Sequence, residues 1–177
     1  MSKLRIPVNE KDHRAGNASA KVILVEYGDY QCPHCGIAHP LLKRLLKNFG
    51  KDMLFVFRNF PLQEAHPAAT IAATSAEAAD LQDKFWEMHD LIFEHQDDLY
   101  ELDETGMAPF AEKIKLDMKK FAKDVTSDAV IARVENDFEG GVRSGVNGTP
   151  DFFINGNRLN SYDATYDSLA DAVISLV

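Results

Sequence analysis

GDYQCPHCGIAHP, residues 28–40, holds both cysteines of the chain, Cys32 and Cys35, in C-x-x-C spacing between prolines and histidines. Two chemistries use such a pair: a metal-binding knuckle and a dithiol that exchanges electrons. On the N-terminal side, VILVEYGDY (22–30) is a β-branched apolar run too continuous for a half-exposed strand. It predicts a central strand covered on both faces. On the C-terminal side, Leu41, Leu42, Leu45 and Phe49 form the apolar stripe of a helix that ends at Gly50. MLFVFRNF (53–60) then reads as a second buried strand. Strand, helix and strand in that order make a βαβ unit with parallel strands.

From residue 65 to about 145 helical periodicity takes over. Pro67 suits a first helical turn, and AATIAATSAEAA (68–79) is a strong helix former. DKFWEMHDLIFEH (83–95) has its stripe at Phe85, Met88 or His89, and Ile92, with Trp86 and the nearby phenylalanines as core. Two weaker helices are expected within 103–124, limited by Gly106 and Pro109. Ser127 can cap a last one with a stripe of Val130, Val134 and Phe138. The chain then returns to strands, DFFI and NRLN flanking Asn155-Gly156, a strong hairpin signal. The end places Tyr166, Leu169, Ala170, Val173 and Ile174 on one helical face. The order is βαβ, a helical block, then ββα, an α/β chain.

The chain has 177 residues, 45% of them apolar, enough for the core of one domain. A net charge of −9 argues against nucleic acid as a partner. The longest apolar runs, VILV and MLFVF, are too short to span a membrane. Residues 1–20 are polar and contain no apolar h-region. As written, the chain is expected in the cytoplasm, or in the periplasm or another extracytoplasmic space if it is a mature or trimmed form. The acidic run DDLYELDE (97–104) reads as a solvated loop, and Lys43, Arg44 and Lys47 as a wet helix face.

A zinc knuckle would need four ligands. Cys32, Cys35 and His39 supply three, and the fourth would have to come from a distant histidine such as His66. His39 otherwise reads as a surface residue, and His66 as a residue at a helix start. The redox reading uses the context more fully. A buried strand ends at Gln31 and a helix begins at Cys32 or Pro33, so the Cys32 sulfur meets the free N–H groups and dipole of a helix N-terminus. Pro33 lies where a missing N–H costs nothing. Cys35, one turn in, is less exposed and close enough to close the disulfide. Pro40, inside the helix, should kink it.

With these residues in view, CPHC after an apolar strand resembles the thioredoxin superfamily. Its Pro33-His34 dipeptide is similar to that of the DsbA-type thiol–disulfide oxidoreductases. GTPDFFING (148–156) resembles the superfamily's second signature, and FPLQEAHPAAT (60–70) a stretch found in one bacterial branch. The resemblance implies a thioredoxin-like core in residues 21–64 and 146–177, with a helical insertion at about 65–145, all in one domain from 21 to 177. It also implies a cis bond before Pro150, opposite Cys32, leaving the backbone of Thr149 free to pair with an extended substrate peptide.

The expected site is then Cys32 as attacking thiolate and Cys35 as resolving thiol. His34 lowers the Cys32 pKa through its partial positive charge and N–H. Glu26, a carboxyl in a strand read as buried, passes a proton to or from Cys35. Thr149 and Pro150 bind substrate. Neither a cofactor nor a metal is expected. The partners are protein or peptide thiols and disulfides, together with a redox protein that recycles the pair. The favoured activity is oxidation of thiols. A cytosolic disulfide reductase or stress-linked thiol enzyme is the nearer alternative, and a zinc-stabilised binding module or a small-molecule isomerase or transferase on a related fold the more distant ones.

Overall fold

A computed structural model of the chain describes residues 2–102 and 106–177. The first half contains β1 (His13–Gly16), β2 (Val22–Gly28), α1 (Pro33–Phe49) and β3 (Met53–Asn59), followed by α2 (Ala69–Asp80) and α3 (Phe85–Glu94). A 3-10 turn (Gln96–Glu101) leads to α4 (Ala108–Lys113), α5 (Met118–Asp124) and α6 (Asp128–Ser144). The chain ends in β4 (Asp151–Ile154), β5 (Asn157–Arg158) and α7 (Tyr166–Ile174).

The apolar runs lie at the centre of a five-stranded sheet of order β1-β3-β2-β4-β5. β2 and β3 pair in parallel, with Val25 opposite Val56, across the α1 crossover. β4 adds antiparallel to the other side of β2, with Tyr27 opposite Asp151. Alternation along β2 and β3 divides the core. Val22, Leu24, Phe55 and Phe57 join the larger cluster, with Leu42, Leu45, Met88 and Ile92. Val25, Tyr27, Leu54 and Val56 face the other side, with Phe60 and Phe153. Ser127 caps α6 by accepting from Val130 N at 3.4 Å. Asn155 and Gly156 turn the β4–β5 hairpin with φ of 47° and 78°, the left-handed pair such a tight turn requires.

Several elements differ from the sequence reading. Residues 13–16, inside the polar N-terminal segment, form an edge strand antiparallel to β3. The buried stripe of α1 is Cys35, Ala38, His39, Leu42 and Leu45, so Leu41 and Phe49 are only half-covered. His39 is buried rather than a surface residue, because α3 packs over it. The α1 helix runs on through Pro40. The acidic run is not simply a loop: Asp97 and Asp98 are exposed, but Leu99 enters the core from the 3-10 turn. Its last residues, 103 and 104, lie outside the described residues, as does the start of the region where two helices were expected. Ile174 points away from the core, leaving Leu169, Ala170 and Val173 as the buried face of α7.

A charge sits where the strand pattern gave no warning. Arg58 in β3 is fully buried, and its guanidinium donates to Asp12 Oδ1 at 2.8 Å and Oδ2 at 3.0 Å. It also donates to the Ile6 carbonyl at 2.9 Å and to the Tyr27 hydroxyl at 3.1 Å. A bidentate pair with its remaining donors satisfied is the arrangement in which a buried guanidinium is tolerated. Beside it, Asn59 Nδ2 donates to Glu77 Oε1 at 2.6 Å, and Glu77 also holds His13 Nε2 at 2.8 Å. Asn59 N donates to Asp137 at 3.0 Å, and Asp137 pairs with Arg133. This polar layer joins β1, β3, α2 and α6.

α6 comes close to the sheet at Gly141, where an added Cβ would stand 2.6 Å from Phe60 Cδ2 and 3.0 Å from Tyr27 Cδ1. Overpacking outweighs the better helix propensity of alanine, so Gly141→Ala should lower stability by about 1–2 kcal/mol. Urea unfolding should show a lower midpoint at unchanged slope.

Candidate active site

The C-terminal end of β2 delivers Asp29, Tyr30 and Gln31 to the start of α1. Cys32 is the N-cap, with extended φ and ψ of −72° and 121°, and its carbonyl accepts the first helical bonds from Cys35 N at 3.0 Å and Gly36 N at 3.1 Å. Its side chain makes no cap bond, so the sulfur is free for other contacts. Pro33 opens the helix. Because β4 runs antiparallel to β2, the residues before Asp151 arrive opposite the end of β2. Cys32 Sγ is 3.3 Å from the Thr149 carbonyl, and the Thr149–Pro150 bond is cis.

Cys32 and Cys35 are both unbridged and buried, yet their environments drive them apart. The Cys32 pKa falls to about 5, chiefly because the Cys35 thiol donates to its sulfur, against the opposing effect of burial. The Thr149 side chain, whose hydroxyl has no other partner, and the backbone N–H groups of Cys35 and His34 add to the lowering. The His34 side chain is exposed, and it is the His34 backbone N–H that acts on Cys32. Cys35 is pushed well above the usual thiol range by burial, by its bond to Cys32 and by the negative charges of Glu26 and Cys32. Glu26 is buried in β2 on the same side of the sheet, and burial, with the Cys32 charge, lifts its carboxyl to about 8. At neutral pH the three groups are thiolate, acid and thiol. That set can present a nucleophile at Cys32 and a proton at Glu26.

The sequence reading gave no supporting role to the residues that hold this loop. Asp29 Oδ1 accepts from Gln31 N at 2.8 Å, while Oδ2 accepts from Leu62 N at 2.9 Å and meets His66 Nδ1 at 2.8 Å. Asp29 N donates to Cys35 Sγ at 3.4 Å. The Asp29-x-Gln31 bond is an Asx turn, a local signal that an aspartate at a strand end provides. The helical block grips the same loop. Gln96 Nε2 donates to the Tyr30 and Cys32 carbonyls at 2.7 and 2.9 Å, and the Tyr100 hydroxyl donates to Gln31 O at 3.2 Å. Tyr162, raised to about 12 by burial and by the charges of Glu26 and Cys35, has a buried hydroxyl without a partner. Nothing local in the sequence marks Gln96 or Tyr162.

The donors of the zinc reading are not assembled around the cysteines. His39 Nε2 lies 3.2 Å from Asp90, and His66 is held by Asp29. Among the described residues, the ligand clusters are His39–His89–Asp90 and His13–Glu77–Asp80, and neither contains a cysteine.

The cysteine pair thus straddles the N-cap and first turn of the helix that follows the central strand of a parallel βαβ unit. The family profile described as Thioredoxin matches residues 8–173, and the chain belongs to that family. Its fold is that of the DsbA-type members. BdbD from Bacillus subtilis superposes with a TM-score of 0.81 at 21% identity, covering 98% of this chain and 97% of that one. Alpha-DsbA1 from Wolbachia pipientis gives 0.79 at 24% identity, with 98% and 94% covered. Among curated proteins, the Na(+)/H(+) antiporter NhaA 1 of Salinispora arenicola is 41% identical over 174 residues, 97% of this chain and 26% of that protein. NhaA 1 of Mycolicibacterium vanbaalenii is 43% identical over 159 residues, 88% of this chain and 25% of that protein. The chain thus spans about a quarter of the length of the curated relatives it matches. Among the described residues, no helix is long and apolar enough to cross a membrane.

Two outcomes follow from these environments. Alkylation of the reduced protein should modify Cys32 alone, with a rate midpoint near pH 5 that moves upward in Cys35→Ala. Glu26 keeps its proton to about pH 8 when folded but only to about 4.5 when unfolded, so its ionisation erodes stability as pH rises between those values. Glu26→Gln should therefore stabilise the protein by a few kcal/mol at pH 9 and hardly at all at pH 4, measured by denaturant unfolding.

Proposed function

We propose that the chain is a thiol–disulfide oxidoreductase that oxidises protein or peptide thiols through the Cys32–Cys35 pair. The observation that carries this reading is the placement of the pair: Cys32 at the N-cap of α1 with its sulfur 3.3 Å from the Thr149 carbonyl, Cys35 buried one turn in, and Glu26 buried on the same side of the sheet. A substrate thiolate attacks Cys32 Sγ of the oxidised pair, forming a mixed disulfide and breaking the Cys32–Cys35 bond. Cys35 leaves as a thiolate in a buried site that disfavours charge, and Glu26 supplies its proton. A second substrate thiolate then attacks the substrate sulfur of the mixed disulfide and expels Cys32, a good leaving group because its thiolate is stable. Two electrons pass from the substrate dithiol to the cysteine pair.

Thr149 and Pro150 face Cys32 and supply the binding edge. The backbone of Thr149 pairs with an extended peptide, which gives little sequence preference. Pro33 and His34 set the shape of the loop that turns the backbone N–H groups toward Cys32. Stabilising the Cys32 thiolate lowers the energy of the reduced form, which makes the disulfide the oxidising partner. Such an oxidant is suited to an extracytoplasmic space where thiols are not held reduced, and a separate redox protein restores its disulfide. The antiport named for the longer curated relatives is not assigned to this chain.

Two measurements test the reading. Presented with disulfide-bearing peptides, Cys35→Ser should accumulate mixed disulfides, its Cys32 thiolate displacing one substrate thiol, and Cys32→Ser should not. The reduction potential of the wild-type pair should lie above the roughly −270 mV of thioredoxin. A lower value would reverse the direction to that of a reductase, and failure of Cys35→Ser to trap any partner would remove the exchange activity itself.

A further inference from the structure

A cavity of about 230 Å³ opens between α1 and α3, lined by Glu26, His39, Lys43, Trp86, His89 and Asp90 among others. Three side chains converge there. One ring nitrogen from each of His39 and His89 and a carboxylate oxygen of Asp90 lie within 4.8 Å of one another. His39 is buried and its Nε2 makes no hydrogen bond, although Asp90 Oδ1 stands 3.2 Å away. A buried imidazole nitrogen left without a partner is unusual and calls for a ligand.

The surroundings of the other two residues suit the same ligand. His89 Nδ1 is engaged with the Tyr30 hydroxyl at 3.0 Å, the outer hydrogen bond that fixes tautomer and ring angle in metal-binding histidines. Lys43 holds Asp90 Oδ2 at 2.7 Å and is itself paired with Glu94 at 3.2 Å, which leaves Oδ1 as the single free donor.

We propose that His39, His89 and Asp90 bind a divalent transition-metal ion of the zinc class, apart from the cysteine pair, with the fourth coordination position facing the cavity. Two imidazoles and a carboxylate with one open position form a donor set that tetrahedral zinc accepts. His39 belongs to α1 and the other two to α3, so the ion ties the helix that starts beside Cys32 to the helical block. The inference does not rest on the disulfide-exchange reading.

The test is a zinc titration of the Cys32→Ser/Cys35→Ser protein, in which no thiol competes for metal. The chain's one tryptophan, Trp86, lies against His89 with ring centroids 5.1 Å apart. Ni²⁺ at the site should quench its fluorescence, and Zn²⁺ should reverse the quench by competition. Expected are saturable uptake of one equivalent of Zn²⁺, a rise in Tm on saturation, and affinity lower by about tenfold or more in His39→Asn and Asp90→Asn. Asp90 is 36% exposed, so its variant keeps the test open if His39→Asn does not fold. Tyr30→Phe, which leaves the ligands in place, should weaken binding by about 10–100-fold. Absence of saturable uptake, or unchanged affinity in Asp90→Asn, overturns the proposal.

Discussion

The hydrogen bond from the Cys35 thiol to the Cys32 sulfur is the interaction that the surrounding elements hold in place. It is the largest influence on Cys32, and it exists only while the first turn of α1 keeps its shape. Asp29 fixes the approach to that turn from the sheet side, through Gln31 N and Leu62 N. Gln96 fixes it from the helical block, through two carbonyls of the loop. The block is therefore part of the scaffold around the cysteine pair, although it contributes neither sulfur. Gly36 fits the same scheme: its missing side chain leaves the space that Gln96 occupies.

Cys32, Glu26 and Cys35 form one coupled cluster, since the Cys32 charge displaces both Glu26 and Cys35, and the Cys35 thiol in turn stabilises the Cys32 thiolate. Like charges in a buried space cannot all ionise together, so protons leave the cluster in steps that belong to the group as a whole. Cys32 gives up its proton first because the donors around it outweigh its burial, whereas at Cys35 the Asp29 N–H does not. Glu26 and Cys35 are buried, and they keep theirs until well above the ordinary range. The separation arises mainly from burial and hydrogen bonding, with the helix end supplying the backbone donors.

Much of this could be read from the sequence because its signals are local. The C-x-x-C pair after an apolar strand, the Ser127 cap and the Asn155-Gly156 turn each depend on a few adjacent residues. The apolar runs of β2 and β3 are likewise self-announcing. What escaped depends on contacts between distant segments. His39 reads as a surface residue on α1 because only the later packing of α3 covers it. Gln96 lies in an acidic stretch whose charges are solvated, and its amide finds the active-site loop across 64 residues of chain. The edge strand at 13–16 is short and polar, and its pairing with β3 follows from tertiary position rather than pattern. Arg58 interrupts an apolar strand, and its partner Asp12 sits in a segment without strand or helix periodicity.

That last pair has a consequence for anyone trimming the chain. Residue 21 looks like a natural place to cut, since what precedes it is polar and the first long strand begins at Val22. A chain cut there would lose Asp12 and the Ile6 carbonyl together. β1 would go with them, so β3 would become the edge of the sheet and Arg58 would keep its positive charge without its bidentate counterion. Stranding one member of a buried pair costs about 3–5 kcal/mol, a large share of what holds a domain of this size together. Such a shortened protein would retain Cys32, Cys35 and Glu26 and still be prone to unfold, so its inactivity would say nothing about the chemistry of Cys32.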